Sequence, residues 1–164
     1  GHASRISKRF FSPGAPYGGT CFPRDTNALR ELANSLGKSC KIVDFCESTN
    51  RELLLNLINK SSKFTNIGII GISFKDGSPV LTASPSIDLA KALLDNDKSI
   101  FWYDPLVDDI PEIINDKFKK NNSIDDLIEN SQLIYIMHFN KQYLNYNYSK
   151  IRVVDPWGLR SLNG

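Results

Sequence analysis

The segment Asn66-Ile67-Gly68-Ile69-Ile70-Gly71 is short, continuously apolar and free of charged residues. Such a run is typical of a parallel strand that is buried on both faces, because helices cover both sides of a parallel sheet. Three more apolar runs of similar length follow it along the chain, at residues 100–103, 133–137 and 151–154. The sequence therefore predicts at least four strands in one parallel sheet.

Helical stretches alternate with these strands. Ser84 is suited to the N-cap, and Pro85 to the first position, of a helix that runs to about Leu94. Shorter helices are predicted at residues 124–129 and 141–146. Because parallel strands need crossover connections, this alternation predicts an α/β fold with a small doubly wound, Rossmann-like parallel-sheet domain.

A short helical segment is predicted to precede the sheet. One helix begins at Pro23 and ends at Gly37, and a second covers about residues 40–60, followed by a hinge at residues 61–63. The first helix carries an apolar stripe of Leu29, Leu32, Ala33 and Leu36. The apolar positions of the second helix are Ile42, Cys46, Leu53, Leu57 and Ile58. We therefore divide the chain into residues 1–62 and residues 63–164.

Cys21 stands at the junction between a glycine-rich loop and the first helix. Gly18 and Gly19 precede it, and Pro23 marks the start of the helix. The partial positive charge of a helix N-terminus favours thiolate over thiol, which suits a nucleophile. Asp25 lies one turn beyond Cys21, where its carboxylate could position a water molecule. Spacing alone equally allows a small buried thiol beside an ordinary first-turn acid.

Composition limits the possible classes of function. The 164 residues carry a net charge of +2, which provides no broad basic field for nucleic acid. No apolar run approaches the roughly 20 residues that span a bilayer, so no membrane insertion is expected. The three cysteines show neither CxxC spacing nor a nearby histidine. Neither a disulfide framework nor a metal site is therefore expected, and a reducing cytoplasm is the predicted compartment.

The cysteine segment Tyr17-Gly18-Gly19-Thr20-Cys21-Phe22-Pro23-Arg24-Asp25 resembles the GGSCFPKD signature of the UDP-glucose/GDP-mannose dehydrogenase family. Further landmarks of this family follow in the same order. The segment Gly68-Ile69-Ile70-Gly71-Ile72-Ser73-Phe74-Lys75 resembles its GxxGLAFK element. The remaining similarities are Arg5-Ile6 to its RIG element, Asn50 to the asparagine of its vN element, Ser84-Pro85 to its SP element and Tyr103-Asp104-Pro105 to its YDP element. The resemblance extends from about residue 4 to residue 156.

The resemblance implies a reaction and its cofactor. Members of this family oxidise the C6 alcohol of a nucleotide sugar, of the UDP-glucose or UDP-N-acetylhexosamine type, to a carboxylate and reduce two NAD molecules. By this analogy Cys21 would attack the C6 aldehyde and form a thiohemiacetal, whose oxidation gives a thioester. Asp25 would assist the water that hydrolyses the thioester.

The resemblance also assigns residues to the UDP-sugar site. Phe74 and Lys75 would meet the nucleotide sugar, with Lys75 as a cation beside the sugar and the phosphates. The backbone of Gly18-Gly19, with Tyr17 beside it, would line the same pocket. On residue type alone, Lys75 could be an exposed loop lysine, and the two glycines could simply make a turn.

Two arginines and the helical segment complete these expectations. Arg5 would reach the substrate of a neighbouring subunit, although near the start of the chain it could equally be a solvated surface residue. Arg160 can replace a cation that many family members carry near this position only if the chain turns back. The resemblance and the apolar stripe of the first helix predict a homodimer, although that stripe could equally pack against residues 66–156.

The sequence also departs from the family pattern. The usual acidic pair and arginine between the FK and SP elements are replaced by Pro79, Val80 and Thr82, so the particular nucleotide sugar stays unassigned. No GxGxxG follows a strand, so no NAD-binding domain is expected within this chain. Two classes therefore stay open: an oxidoreductase whose other half lies elsewhere, and a non-catalytic nucleotide-sugar-binding or oligomerisation module. The consistent order of landmarks argues against a third class, an unrelated flavodoxin-like domain.

Overall fold

The structure is a computed structural model that describes residues 14–160. Its elements, in chain order, are α1 (Phe22–Ser35), α2 (Lys41–Lys60), β1 (Asn66–Ile70), α3 (Pro85–Asp95), β2 (Ser99–Tyr103), β3 (Phe118–Lys120), α4 (Ile124–Asn130), β4 (Leu133–Ile136), a 3-10 helix (Lys141–Asn145) and β5 (Arg152–Val154). Within the described residues, no helix has the length and apolar character needed to cross a membrane.

The strands form one parallel sheet in the order β3-β2-β1-β4-β5. β1 lies at the centre of the sheet, where Ile69 is opposite Trp102 of β2 and Tyr135 of β4. From β1 the chain winds outward to β2 and β3, and then returns to the other side of β1 to form β4 and β5. This order confirms the predicted α/β fold with a doubly wound parallel sheet.

Helices cover both faces of the sheet. α3 packs on one face through Leu89, Ala90 and Leu93, and α4 packs on the other face through Leu127. Gly68 permits the close approach of α4, because a Cβ atom there would lie 2.6 Å from Leu127 Cδ2. Burial from both sides explains why the central strands are continuously apolar rather than alternating.

Two elements differ from the expectation based on sequence. The apolar pattern does not predict β3, because Phe118-Lys119-Lys120 is short and mostly charged. Lysines suit an edge strand, since they discourage pairing with another chain. The helix predicted at residues 141–146 is a 3-10 helix, and the side chain of Asn140 caps its start by accepting a hydrogen bond from the Gln142 amide.

α2 has the predicted extent, and only some of its apolar positions are buried. Leu57 and Ile58 pack on the sheet domain. Three other apolar positions of this helix are exposed: Ile42, Cys46 and Leu53. The inward face carries Val43 and Leu57 together with the polar Asn50, whose side chain bonds to the loop before α1. Apolar periodicity alone could not identify a face that is partly polar.

The apolar stripe of α1 is exposed as well. Leu29, Leu32 and Leu36 expose 49%, 58% and 66% of their surface. The alternative in which this stripe packs against residues 66–156 is therefore wrong. α1 is attached to α2 by a partly buried ion pair between Arg30 and Glu47. The two helices thus leave apolar surface available on the side away from this pair.

Candidate active site

The glycine pair of the cysteine loop lies directly on the α/β domain. A Cβ atom on Gly18 would lie 2.0 Å from the carbonyl oxygen of Ala83, and one on Gly19 would lie 2.6 Å from the ring of Phe74. Gly19 also has a φ of 85° and donates its amide to the Ala83 carbonyl over 3.0 Å. Glycine fits here because it has no Cβ atom to clash with these groups, and because it readily adopts a positive φ. The structure thus brings Gly18 and Gly19 into contact with the segment of Phe74 and Ala83. Gly19 is two residues before Cys21, so this contact also fixes the approach to the cysteine.

Asn50 of α2 holds the start of the same loop. Its side-chain oxygen accepts a hydrogen bond from the Tyr17 amide at 2.8 Å, and its side-chain nitrogen donates to the Tyr17 carbonyl at 3.0 Å. One side chain therefore satisfies both backbone groups of Tyr17. Burial, followed by the carboxylate of Glu47, raises the pKa of the Tyr17 phenol. The sequence indicated Asn50 only through its resemblance to the vN element of the family, and no local pattern pointed to this contact.

Cys21 occupies the N-cap of α1 and is exposed. Its side chain makes no capping hydrogen bond, and the hydroxyl oxygen of Thr20 lies 3.7 Å from its Sγ. The α1 helix that follows has 14 residues, so its dipole stabilises negative charge at this end. The thiol is therefore both accessible and placed where developing negative charge is favoured.

Asp25 lies one helical turn beyond Cys21 and donates its amide to the Cys21 carbonyl at 2.8 Å. Its carboxylate is exposed and accepts a hydrogen bond from Arg24 Nε, also at 2.8 Å. This hydrogen bond, followed by the negative charges of Asp25 and of an ionised Cys21, raises the pKa of the Arg24 guanidinium. The sequence pattern did not single out Arg24, which brings a cation within electrostatic reach of both predicted catalytic residues.

Phe74 and Lys75 follow β1 at the carboxyl edge of the sheet. The ring of Phe74 is half-buried against Gly19, and the amide of Phe74 donates to the Val80 carbonyl at 3.0 Å. Lys75 is exposed, and its Nζ lies 5.3 Å from the centroid of the Phe74 ring. The Lys75 charge is therefore presented to solvent, next to the residue that supports the cysteine loop.

Two side chains fix the backbone just ahead of Phe74. Asp104, buried at the end of β2, accepts hydrogen bonds from the amides of Ile72 and Ser73 at 3.1 Å and from the Ser73 hydroxyl at 2.9 Å. Ser84 donates its hydroxyl to the Ile72 carbonyl at 2.7 Å and also caps α3. The YDP and SP landmarks of the sequence thus act on the same short segment of backbone.

A cavity of about 160 Å³ lies between the two loops. The cysteine loop lines it with Tyr17 and Gly18, the loop after β1 with Phe74, and the far part of the sheet with Met137 and Trp157. Small-molecule sites usually enclose roughly 300–1,000 Å³. At about 160 Å³, this cavity is smaller than that range.

Arg160, the other predicted site residue that the structure describes, is not joined to this cluster. The guanidinium of Arg160 lies over Tyr148, with its central carbon 6.0 Å from the ring centroid, and the Arg160 amide donates to Asp155. Arg5 lies outside the described residues, so the substrate-binding roles of both arginines stay predictions. Between residues 14 and 160, no group of three potential metal ligands comes together.

Comparison with known proteins defines the class to which this fold and site belong. The model described as "UDP-glucose/GDP-mannose dehydrogenase family, UDP binding domain" matches residues 68–157. The model of the central domain of the same family matches residues 1–52. The first match alone covers more than half of the chain. The chain therefore belongs to the UDP-glucose/GDP-mannose dehydrogenase family.

Curated relatives are similar over part of their length. They include the UDP-glucose 6-dehydrogenase of Rickettsia felis, 32% identical over 109 residues, and the UDP-glucose 6-dehydrogenase TuaD of Bacillus subtilis, 31% identical over 115 residues. The matched regions are 62% and 66% of this chain, but 24% of each relative. The chain thus spans about a quarter of the length of the curated relatives that it matches.

Solved structures share the fold described above. The UDP-glucose dehydrogenase of Pyrobaculum islandicum has a TM-score of 0.86 at 22% identity, over 99% of this chain and 39% of that chain. The GDP-mannose dehydrogenase of Pseudomonas aeruginosa has a TM-score of 0.84 at 21% identity, over 97% and 40% of the two chains. At this level of identity the likeness shows the fold.

We expect Asn50→Ala to release the cysteine loop from α2. Exchange of the Tyr17 amide with solvent should accelerate about tenfold or more, because one net hydrogen bond contributes roughly 1–1.5 kcal/mol and two are lost. Amide hydrogen exchange followed by NMR measures this rate. Asn56→Ala, at an exposed position of the same helix, is the matched control and should leave the exchange of Tyr17 unchanged. Unaltered exchange in Asn50→Ala would show that other contacts hold the loop.

Proposed function

We propose that this chain supplies the nucleotide-sugar site and the catalytic cysteine of an NAD-dependent dehydrogenase that oxidises the C6 alcohol of a UDP-sugar to a carboxylate. The observation that carries the proposal is the contact of Gly19 with the Phe74 ring, which sets the loops of Cys21 and Lys75 side by side. A site that binds the phosphates with one loop and attacks C6 with the other requires this proximity. Family membership and the names of the curated relatives support the same reaction.

Lys75 has the principal binding role in this proposal. Its ammonium lies beside an aromatic ring and is exposed, so it can meet a phosphate without giving up a buried partner. Phe74, Tyr17 and the Gly18-Gly19 backbone line the pocket around the sugar. Arg5 and Arg160 remain proposed additional contacts to the substrate.

Cys21 and Asp25 carry the covalent chemistry in this proposal. The Cys21 thiolate adds to C6 of the aldehyde intermediate, and the aldehyde oxygen takes up a proton to give a thiohemiacetal. Loss of a hydride and a proton leaves a thioester. Water positioned by Asp25 attacks the thioester carbon, and the carbon–sulfur bond breaks. This step releases the carboxylate product, the Cys21 thiolate and the two protons of the water. NAD held elsewhere in the enzyme would accept the hydride in the oxidation of the thiohemiacetal and in the preceding oxidation of the C6 alcohol to the aldehyde.

The residues of this chain do not fit NAD itself. A dinucleotide site needs the GxGxxG turn after a strand, so that backbone can approach the pyrophosphate. β1 is followed instead by a segment whose amides at Ile72 and Ser73 are already bonded to Asp104. We therefore place the cofactor on a part of the enzyme beyond this chain. Residues 1–62 would supply the cysteine loop and dimer helices, and residues 63–164 the UDP-binding domain.

A non-catalytic nucleotide-sugar-binding or oligomerisation module is the second candidate, since no NAD fingerprint occurs in the sequence. Binding alone would require Lys75 and Phe74, but no thiol. The exposed Cys21 at a helix N-terminus, with Asp25 one turn away, favours the enzyme. An open reading frame that encodes a dinucleotide-binding domain together with this chain would decide between the two.

The helical segment is also proposed to form a homodimer. The outer surfaces of α1 and α2 expose large apolar side chains, namely Leu29, Leu32, Leu36, Ile42 and Phe45. Exposed apolar patches of this kind mark interaction sites. A second copy of this chain is the proposed occupant, because both apolar faces belong to the region matched by the central domain of the family.

Lys75→Ala should weaken the binding of UDP-glucose about tenfold or more. A hydrogen bond to a charged group contributes roughly 1.5–3 kcal/mol, which corresponds to about a tenfold to hundredfold change in affinity. Isothermal titration calorimetry measures the affinity. Lys119→Ala, on the edge strand β3, makes the same change in net charge and should bind as tightly as wild type. Equal affinity in Lys75→Ala and wild type would remove Lys75 from the site, and NADH formed by this chain alone would refute the placement of the cofactor.

Cys21 should react with iodoacetamide several-fold faster than Cys40 or Cys46. Cys40 also caps a helix, but it is half-buried, and Cys46 is exposed but lies inside α2. Cys21 combines exposure with a helix N-terminus, which is the setting that activates a thiol. Timed labelling followed by peptide mass spectrometry gives the three rates. Alkylation of Cys46 as fast as that of Cys21 would show that the start of α1 does not activate the thiol.

Leu32→Glu should shift this chain from dimer to monomer at micromolar concentration, because a charge would then be buried at an apolar interface. Sedimentation velocity measures the distribution. Leu106→Glu changes a leucine of similar exposure outside the helical segment, and it should leave the dimer intact. A wild-type chain that stays monomeric at high concentration would contradict the dimer.

A further inference from the structure

His138 lies at the topological switch point of the sheet, two residues after the end of β4 and beside the end of β1. Its side chain is 2% exposed. The ring Nε2 lies 2.9 Å from the carbonyl oxygen of Ser73 and 3.3 Å from the Ser73 hydroxyl. A carbonyl oxygen only accepts, so Nε2 carries the ring proton and donates it to this carbonyl.

The end of β1 is shaped to admit this ring. A Cβ atom on Gly71 would lie 2.4 Å from Cγ of His138 and 2.6 Å from its Nδ1. Gly71 also has a φ of 85°, and its amide donates to the Tyr103 carbonyl at 2.9 Å. A side chain at position 71 would displace the imidazole from the Ser73 carbonyl. Gly71 is therefore required both for the turn after β1 and for the space that the His138 ring occupies.

The hydrogen bond of His138 belongs to a chain that crosses three strand ends. His138 follows β4, Ser73 follows β1, and Asp104 follows β2. His138 holds the Ser73 carbonyl, while Asp104 holds the Ser73 amide and hydroxyl. Both polar ends of Ser73 are thereby fixed. The residue that follows is Phe74, so any shift of the Ser73 carbonyl is transmitted to the segment proposed to bind the nucleotide sugar.

We propose that His138 is a positioning residue for nucleotide-sugar binding, which acts through the Ser73 carbonyl to hold Phe74 and Lys75 in place. The inference rests on the proposed function, because it assigns a role with respect to that same site. In this proposal His138 does not contact the ligand itself. The quantity that matters is therefore the Nε2–H donor rather than the volume of the ring.

Two substitutions distinguish the effect of the His138 hydrogen-bond donor from the effect of the ring volume. His138→Phe keeps an aromatic ring beside Gly71 but removes the N–H that donates to the Ser73 carbonyl. We expect its affinity for UDP-glucose to fall about tenfold. His138→Gln can place a side-chain N–H toward the Ser73 carbonyl, and its affinity should stay within about threefold of wild type. Calorimetry with UDP-glucose measures both, and thermal melts establish that each variant folds. Wild-type affinity in His138→Phe, or a tenfold loss in His138→Gln, would overturn the proposal.

The protonated ring nitrogen can be observed without any ligand. Long-range nitrogen–proton NMR spectra distinguish the two neutral imidazole tautomers, and comparison with His138→Gln identifies the signals of His138. We expect the Nε2–H form, and the Nδ1–H form would overturn the proposal. If His138→Phe does not fold, the His138→Gln affinity and this tautomer decide the matter.

Failure of the proposed function gives a different result. In that case UDP-glucose does not bind to the wild-type chain, or binds equally well to Lys75→Ala, whatever the His138 variants do; the positioning role then falls with it. If Lys75→Ala weakens binding but His138→Phe does not, only the role of His138 is refuted.

Discussion

The close approach of the Gly18-Gly19 backbone to Ala83 and Phe74 governs the geometry of the candidate site. Neither glycine has room for a Cβ atom, so the cysteine loop packs backbone-on against the α/β domain. Asn50 holds the preceding residue from α2. Short contacts therefore connect the loop of Cys21 to the loop of Lys75, the residue whose ammonium group is proposed to bind the phosphates. Covalent catalysis depends on such placement, because orientation of the reacting groups can contribute a large part of the rate.

The parallel sheet positions the other loop of the candidate site, which contains Phe74 and Lys75. The carboxyl ends of β1, β2 and β4 meet at one edge, which is where ligands bind in open α/β sheets. Two carboxylates near the candidate site differ in burial. Asp104 is buried, and its oxygens accept hydrogen bonds from the backbone and from Ser73, so it is committed to structure. Asp25, on α1, is exposed and lies one helical turn beyond the exposed Cys21, and this contrast supports the proposed assignment of chemistry to Cys21 and Asp25.

The sequence was most informative where the physical cause is local. Burial on both faces makes strands such as β1 continuously apolar, and a serine–proline pair starts α3, so both could be predicted. β3 left no such signal, because an edge strand tolerates lysines. The couplings of the site were not predictable, since they join residues far apart in the chain: Tyr17 with Asn50, Gly19 with Phe74, and Ser73 with His138. Family resemblance could indicate the reactive residues but not these contacts.

An NMR titration of the chain with UDP-glucose tests most directly whether the two loops form one site. The backbone amides of Gly19 and Cys21 in one loop, and of Phe74 and Lys75 in the other, should shift along a common saturation curve. Contact through Gly19 and Phe74 makes the loops respond together, so a single dissociation constant should describe all four amides. Shifts confined to one loop, or two loops that saturate at different concentrations, would contradict a single composite site.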